Sequence, residues 1–205
     1  MKRPPHPCGP ADAAHTSLGT TPYEMRPATR EDRTAVAALI DERIVHPSTP
    51  ECADLDADRS ALLNRLGGEE RGEPLVWLLC EDEVIVGCAL VRSATPEGGW
   101  SSVQRAEPAL FISALFTRPA PGVLTGRLLA WALLDYAARL PAKDGSVLWV
   151  RGATSSETVM RYARDVAGWA VADTVLHHHR HVHLLQRPAE QVPGLRAMVS
   201  PRRAT

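Results

Sequence analysis

The chain has 205 residues, of which 44% are apolar and 23% charged, with a formal net charge of −1. That length can bury a core without disulfides or metal, and the balanced charge leaves no electrostatic case for nucleic acid or an anionic membrane as partner. The opening MKRPPHPCGP lacks an apolar h-region, no uninterrupted apolar stretch is long enough to span a bilayer, and Cys8, Cys52, Cys80 and Cys88 show no C-x-x-C spacing; the expectation is reduced thiols in a cytoplasmic protein.

Residues 1–21 are rich in Pro, Gly, Ala and Thr without apolar periodicity and read as a disordered leader to a domain over 22–188. Residues 23–26 predict a short strand ended by Pro27. Thr29-x-x-Asp32 has the form of a capping box, opening a helix with Val36, Leu39, Ile40 and Ile44 on one face. After HPSTPECADL a shorter helix is expected around 59–66, stopped by Gly67 and Gly68. PLVWLLC and VIVGCALV, separated by EDE, predict an antiparallel hairpin. Residues 95–108 read as a long polar loop with one exposed aromatic, Trp100.

ALFISALFT is apolar almost throughout, as a strand buried on both faces would be. Pro119, Pro121 and Gly122 interrupt it, and a helix over 125–140 aligns Leu129, Leu133, Tyr136 and Leu140 before Pro141 ends it. SVLWV is another doubly buried strand, so strand, helix and strand imply a parallel crossover. Thr154-x-x-Glu157 then predicts a cap for a helix packing through Val159, Tyr162, Ala163 and Val166 and closed by Gly168. Residues 169–176 and 181–186 read as closing strands, and 189–205, with Pro193 and Pro201, as a flexible tail. The order βααβββαβαββ gives a mixed α/β (α+β) fold, a central mixed sheet flanked by helices.

The turn between the closing strands lies in LHHHRHVHLLQ, five histidines in seven residues. His181 and His183 share one strand face, and with His177 or His179 they have the makings of a zinc site. Strand alternation alone also explains the pattern, with Val182 and Leu184 inward and the imidazoles in solvent.

ALFISALFTRPAPGVLTGRLLAWALLDYA resembles the central motif of the GCN-related N-acetyltransferase (GNAT) superfamily: a buried strand, a loop of the form Arg/Gln-x-x-Gly-x-Gly/Ala, then a long helix. MRPATREDRTAVAALIDERI is similar to the family's first strand and helix, and RYARDVAGW to its late helix, so the resemblance runs from about 23 to 188. It implies an N-acetyltransferase carrying an acetyl or short acyl group from acetyl-CoA to the amine of a small-molecule acceptor. It also allows a homodimer through the final strands.

A loop feeding a helix N-terminus presents unpaired N–H groups and partial positive charge, and in the family this cradle holds the pyrophosphate of coenzyme A. The resemblance places Pro121, Gly122, Val123, Leu124, Thr125, Gly126 and Arg127 at the cradle, and the backbone of Leu115, Phe116 and Thr117 along the pantetheine arm. Pro121 stands at the family's Arg/Gln position and Leu124 at its first Gly, two departures; Gly126 keeps the second. The Tyr that often protonates the leaving thiolate falls on Arg164, or on Ala163 with one residue inserted. Tyr162 is adjacent, and a packing role and a general-acid role both stand for it. Glu107, ahead of the central strand, is a candidate base. So are His181 and His183, because the last hairpin borders the acceptor pocket in the family. Two other readings stay open: a catalytically silent acyl-CoA-binding domain, and a zinc protein centred on the histidine hairpin.

Overall fold

The apolar runs meet in an eight-stranded sheet, seen in a computed structural model that describes residues 23–45, 55–70, 73–118, 125–140, 146–177 and 179–201. The expected leader over 1–21, Cys8, Cys52, His178 and the cradle residues Pro121, Gly122, Val123 and Leu124 lie outside the described residues. In chain order the strands are β1 (Tyr23–Pro27), a small separate pair β2 (Glu69–Glu70) and β3 (Glu73–Pro74), then β4 (Val76–Glu81), β5 (Val84–Arg92), β6 (Ala109–Thr117), β7 (Trp149–Thr154), β8 (Ala170–His177), β9 (Arg180–Pro188) and β10 (Val199–Pro201). The helices are α1 (Arg33–Val45), α2 (Leu55–Asn64), α3 (Ser102–Ala106), α4 (Thr125–Ala137) and α5 (Glu157–Asp165). The large sheet has the order β10-β1-β4-β5-β6-β7-β9-β8. Its β6–β7 and β1–β10 pairs are parallel and the rest antiparallel. The mixed α/β architecture expected from the sequence is therefore present.

Helices cover both faces. On one, Val36, Leu39 and Ile40 of α1 and Leu62 and Leu63 of α2 bury against Leu78, Leu90, Ala114 and Phe116. On the other, Leu129, Leu133 and Leu134 of α4 and Met160 of α5 pack on Leu79, Ala89, Leu110, Val150 and Leu185. The hairpin between β4 and β5 turns at Asp82 and Glu83, whose φ angles of 47° and 69° suit the tight turn that matches strand twist.

Several boundaries differ from the sequence expectations. The second helix begins at Leu55, and β7 starts at Trp149 and runs to Thr154. The cap of α5 is Ser156, whose Oγ accepts from the Val159 N–H at 3.3 Å, while Thr154 instead accepts from the Ser156 N–H at 3.1 Å. The loop over 95–108 contains α3, and Trp100 is buried with Phe111 and Leu184, not exposed. What draws it in is Arg151, fully buried on β7. Its guanidinium donates to Thr95, to the Gln104 carbonyl and to the Glu107 carboxylate, and lies 5.0 Å from the Trp100 ring.

The stretch expected as a flexible tail also carries structure. Leu195 and Val199 enter the core, and β10 pairs with β1. Asp135 of α4 anchors the approach: it is held by Arg139 in a two-pronged pair and accepts from the Val192 N–H at 3.2 Å. These apolar positions are too few and too widely spaced to register as a periodic pattern.

The start of α1 yields a pH-dependent prediction. Asp32 accepts from Arg26 at 2.7 Å and from the Thr29 N–H at 2.7 Å, realising the expected capping box. The Arg26 hydrogen bonds outweigh burial and hold its carboxyl down at about 2. A depressed carboxyl stabilises the fold above its unfolded value, 3.8, and that contribution, about 2 kcal/mol, is lost as pH falls through about 2. Asp32→Asn should therefore lower unfolding free energy by about 2 kcal/mol at pH 6 and by only a few tenths at pH 2, read from denaturant midpoints.

Candidate active site

β6 and β7 run together over only four residue pairs, from Ala109↔Trp149 to Ile112↔Gly152. Beyond Ile112 the two strands part. β6 continues to Thr117 paired only with β5, while β7 continues to Thr154 paired only with β9. The parting coincides with a bulge: Leu90 faces Ala114 and Val91 faces Ile112, which leaves Ser113 as the extra residue. The Ser113 Oγ is buried there and has no hydrogen-bond partner among the described residues.

The rest of β6 therefore presents unladdered backbone to a gap in the sheet. The Arg118 N–H bonds the Val86 carbonyl of β5 at 2.9 Å. By strand alternation the N–H groups of Thr117 and Leu115 point the other way, into the gap. The mouth is formed by α4 and α5. Thr125 and Gly126 open α4, and beside Gly126 there is open space: a Cβ added there would find one foreign atom, the Tyr162 hydroxyl, at 4.0 Å. Arg127 lies against Trp131, its Cζ 4.6 Å from the ring, and its Nε is buried without a partner among the described residues.

An apolar lining accompanies this. Leu115 is 37% exposed, and Val159, Tyr162 and Val166 of α5 are 44%, 39% and 41% exposed. The expected packing face of α5 is thus corrected. Met160 and Ala163 turn to the core, and Tyr162 is directed at the mouth of the gap. VMRYARDVA carries two overlapping apolar stripes about 100° apart, and the sequence does not say which one meets the sheet.

No family model matches the sequence, and no curated protein does. Solved structures match the fold. A GNAT-family acetyltransferase from Listeria monocytogenes superposes with a TM-score of 0.60 at 15% identity, over 81% of this chain and 94% of its own. The chain has the GNAT fold. An aminoglycoside N(6')-acetyltransferase from Legionella pneumophila matches with a TM-score of 0.56 at 12% identity, over 85% of this chain and 96% of its own. The structure of yncA from Salmonella typhimurium with its cofactor acetyl-CoA matches with 0.52 at 17%, over 84% and 96%.

The residues present suit an acyl-CoA in the GNAT cleft. The gap offers backbone donors for an extended polar arm, a buried hydroxyl at its inner end with no partner among the described residues, open space beside Gly126 at the start of α4, and an arginine Nε that likewise has no partner among the described residues. The N–H groups of Leu115 and Thr117 face that gap; by the same alternation the Phe116 N–H points toward β5, and its ring lies in the core beneath α1 and α2.

The other singled-out residues stand elsewhere. Glu107 holds the buried Arg151 and is engaged in that ion pair, on the face away from α4 and α5. The expectation of solvated imidazoles fails for His183, which is 7% exposed. Its Nδ1 lies 3.0 Å from the Thr174 hydroxyl and its Nε2 3.5 Å from Glu157, on the α5 face of the sheet. His181 is exposed on the same strand. Among the described residues no three His, Cys, Asp or Glu side chains converge as metal ligands. Arg151 is the residue that sequence reasoning missed; nothing in SVLWVRGAT marks its arginine as buried.

Proposed function

We propose that the chain is an N-acyltransferase, moving an acetyl or short acyl group from acetyl-CoA to the amine of a small-molecule acceptor. One observation carries the reading: the parted β6 and β7, with the Leu115 and Thr117 N–H groups facing the gap and Gly126 at its mouth. Bound there, acetyl-CoA supplies an activated thioester, so that an acceptor nitrogen bonds the acyl carbon as the C–S bond breaks and the thiol leaves with a proton.

The chain's own contribution is positioning and polarity. The Gly126 end of α4 offers free N–H groups to phosphate oxygens. The Leu115 N–H is the backbone donor placed to polarise a carbonyl in the gap, a role that requires no movement of the strand. Val159 and Leu115 exclude water from the arm. Tyr162, half-exposed at the mouth, is the hydroxyl available to a leaving thiolate.

Calorimetric titration with acetyl-CoA should give saturable one-to-one binding, and a hundredfold excess over Kd should add about 2.7 kcal/mol to stability. Thiol release with an amine panel then reads turnover. Binding without turnover on any amine would identify a silent acyl-CoA-binding domain, and no binding at millimolar acetyl-CoA would overturn the reading. Tyr162→Phe should leave acetyl-CoA affinity unchanged and lower kcat about tenfold, a modest loss because water also protonates a thiolate.

A further inference from the structure

The closing hairpin carries a second polar constellation, apart from the gap. β8 is the edge strand of the sheet, and its Thr174 is the cross-strand partner of His183 on β9. The Thr174 N–H turns outward and donates to Oδ1 of Asp173 at 2.7 Å. Thr174 and His183 therefore form a non-hydrogen-bonded pair, in which Cα atoms approach to about 4.5 Å and side chains meet. They meet in a 3.0 Å hydrogen bond between the Thr174 hydroxyl and the His183 Nδ1. On the other side of the imidazole, Nε2 lies 3.5 Å from Oε1 of Glu157, the first residue of α5. The Ser156 cap fixes that helix start and so the origin of the carboxylate.

The two contacts give the imidazole a direction. A carboxylate beside Nε2 favours the tautomer that carries its proton there, which leaves the Nδ1 lone pair to accept from the Thr174 O–H. A hydroxyl bonded to an imidazole that a carboxylate orients is the arrangement that makes an alcohol nucleophilic. Burial divides as that work requires: His183 is 7% exposed and held on both nitrogens, whereas Thr174 is exposed. Leu185, the partner of Val171, enters the core under α4 and α5, and strand alternation puts Thr174 and Leu176 on that same face. Val171 and Leu176, both exposed, thus flank the hydroxyl on an edge strand, where exposed apolar side chains are normally avoided.

We propose that Thr174 is a nucleophile that takes a short apolar acyl group covalently from an activated ester or thioester. His183 is its base, and Glu157 positions His183. In the step Nδ1 takes the hydroxyl proton, Oγ bonds the acyl carbon, and the bond to the leaving phenolate or thiolate breaks. The imidazolium then gives its proton to the leaving group, so O-acyl Thr174 and a free phenol or thiol are the products. β9 stands between β8 and β7, which borders the gap. The site is therefore separate from the cleft assigned to acetyl-CoA and does not depend on that assignment.

The test treats the full chain with p-nitrophenyl butyrate and maps the modified residues by peptide mass spectrometry. A butyryl ester should appear on Thr174, persist at that position in Thr174→Ser and vanish in Thr174→Val. His183→Gln should slow labelling of Thr174 about a hundredfold, and Glu157→Gln about tenfold through loss of the productive tautomer. Thermal melts of the same proteins check the fold. Should His183→Gln fail to fold, Glu157→Gln, changed at an exposed carboxylate, carries the comparison alone. No ester on Thr174, or labelling undiminished in either folded variant, overturns the proposal.

Discussion

Glu107→Gln should lower the melting temperature by about 6–12 °C, an unusually large effect for a change of one carboxylate to its amide near the surface. Arg151 is fully buried, and Glu107 is its counterion, one-third exposed at the edge of the covering loop. Gln can still accept a hydrogen bond from the guanidinium, so shape survives and charge does not. A buried cation left without its counterion costs about 3–5 kcal/mol, and the lower end applies where water reaches the partner. For a chain of this size each kcal/mol moves the midpoint by about 2–4 °C.

The double variant Glu107→Gln with Arg151→Met decides the cause. If the unpaired charge is what destabilises, removing it should recover part of the loss, and the cycle should show coupling above about 1 kcal/mol. The same variant separates structure from catalysis. Were Glu107 the general base, Glu107→Gln would depress kcat at a temperature where the protein remains folded. The geometry predicts that kcat there changes less than twofold, because the carboxylate holds Arg151 over the sheet rather than facing the gap.

The fold was legible wherever a local cue and a periodic pattern agreed. EDE between two β-rich runs specified a hairpin, and Asp82 and Glu83 adopt the positive φ angles it requires. Val36, Leu39 and Ile40 announced the buried face of α1 and are 0–2% exposed. Legibility ended where burial depends on partners far apart in the chain. Arg151 is satisfied by Thr95, Gln104, Glu107 and Gln186, four side chains or carbonyls from two distant segments. No window of sequence contains that set. β10 is three residues pairing in parallel with the first strand, again a contact with no local signature. His183 looked like one of a solvated cluster, yet Thr174 and Glu157 converge on its two nitrogens from a neighbouring strand and a helix start. For Tyr162 the difficulty was angular: one step of about 100° around a helix separates a core residue from one facing the cleft, and both stripes were apolar.

Gly126→Ala should separate folding from ligand binding more sharply than any other single change in the molecule. Gly126 is the second residue of α4, and an added Cβ would meet only the Tyr162 hydroxyl, at 4.0 Å, an ordinary van der Waals distance. Nothing in the protein resists the methyl group. Removing a glycine from a helix also restricts the unfolded chain, which is worth about 0.4–1 kcal/mol, so the melting temperature should stay level or rise by about 1–4 °C. Acetyl-CoA affinity should move the other way. On the proposed acyl-transfer reading, the space beside Gly126 is where a pyrophosphate would approach the backbone closely at the start of α4, and a Cβ there would hold it off. A loss of about a hundredfold in Kd, or about 2.7 kcal/mol, is the expected size. Calorimetry and thermal melts on the same two proteins read both quantities. A stabilised variant that binds acetyl-CoA as tightly as the parent would show that the open space beside Gly126 serves no ligand. The pyrophosphate would then have to be held elsewhere, with Arg127 and its buried Nε the residue to vary next.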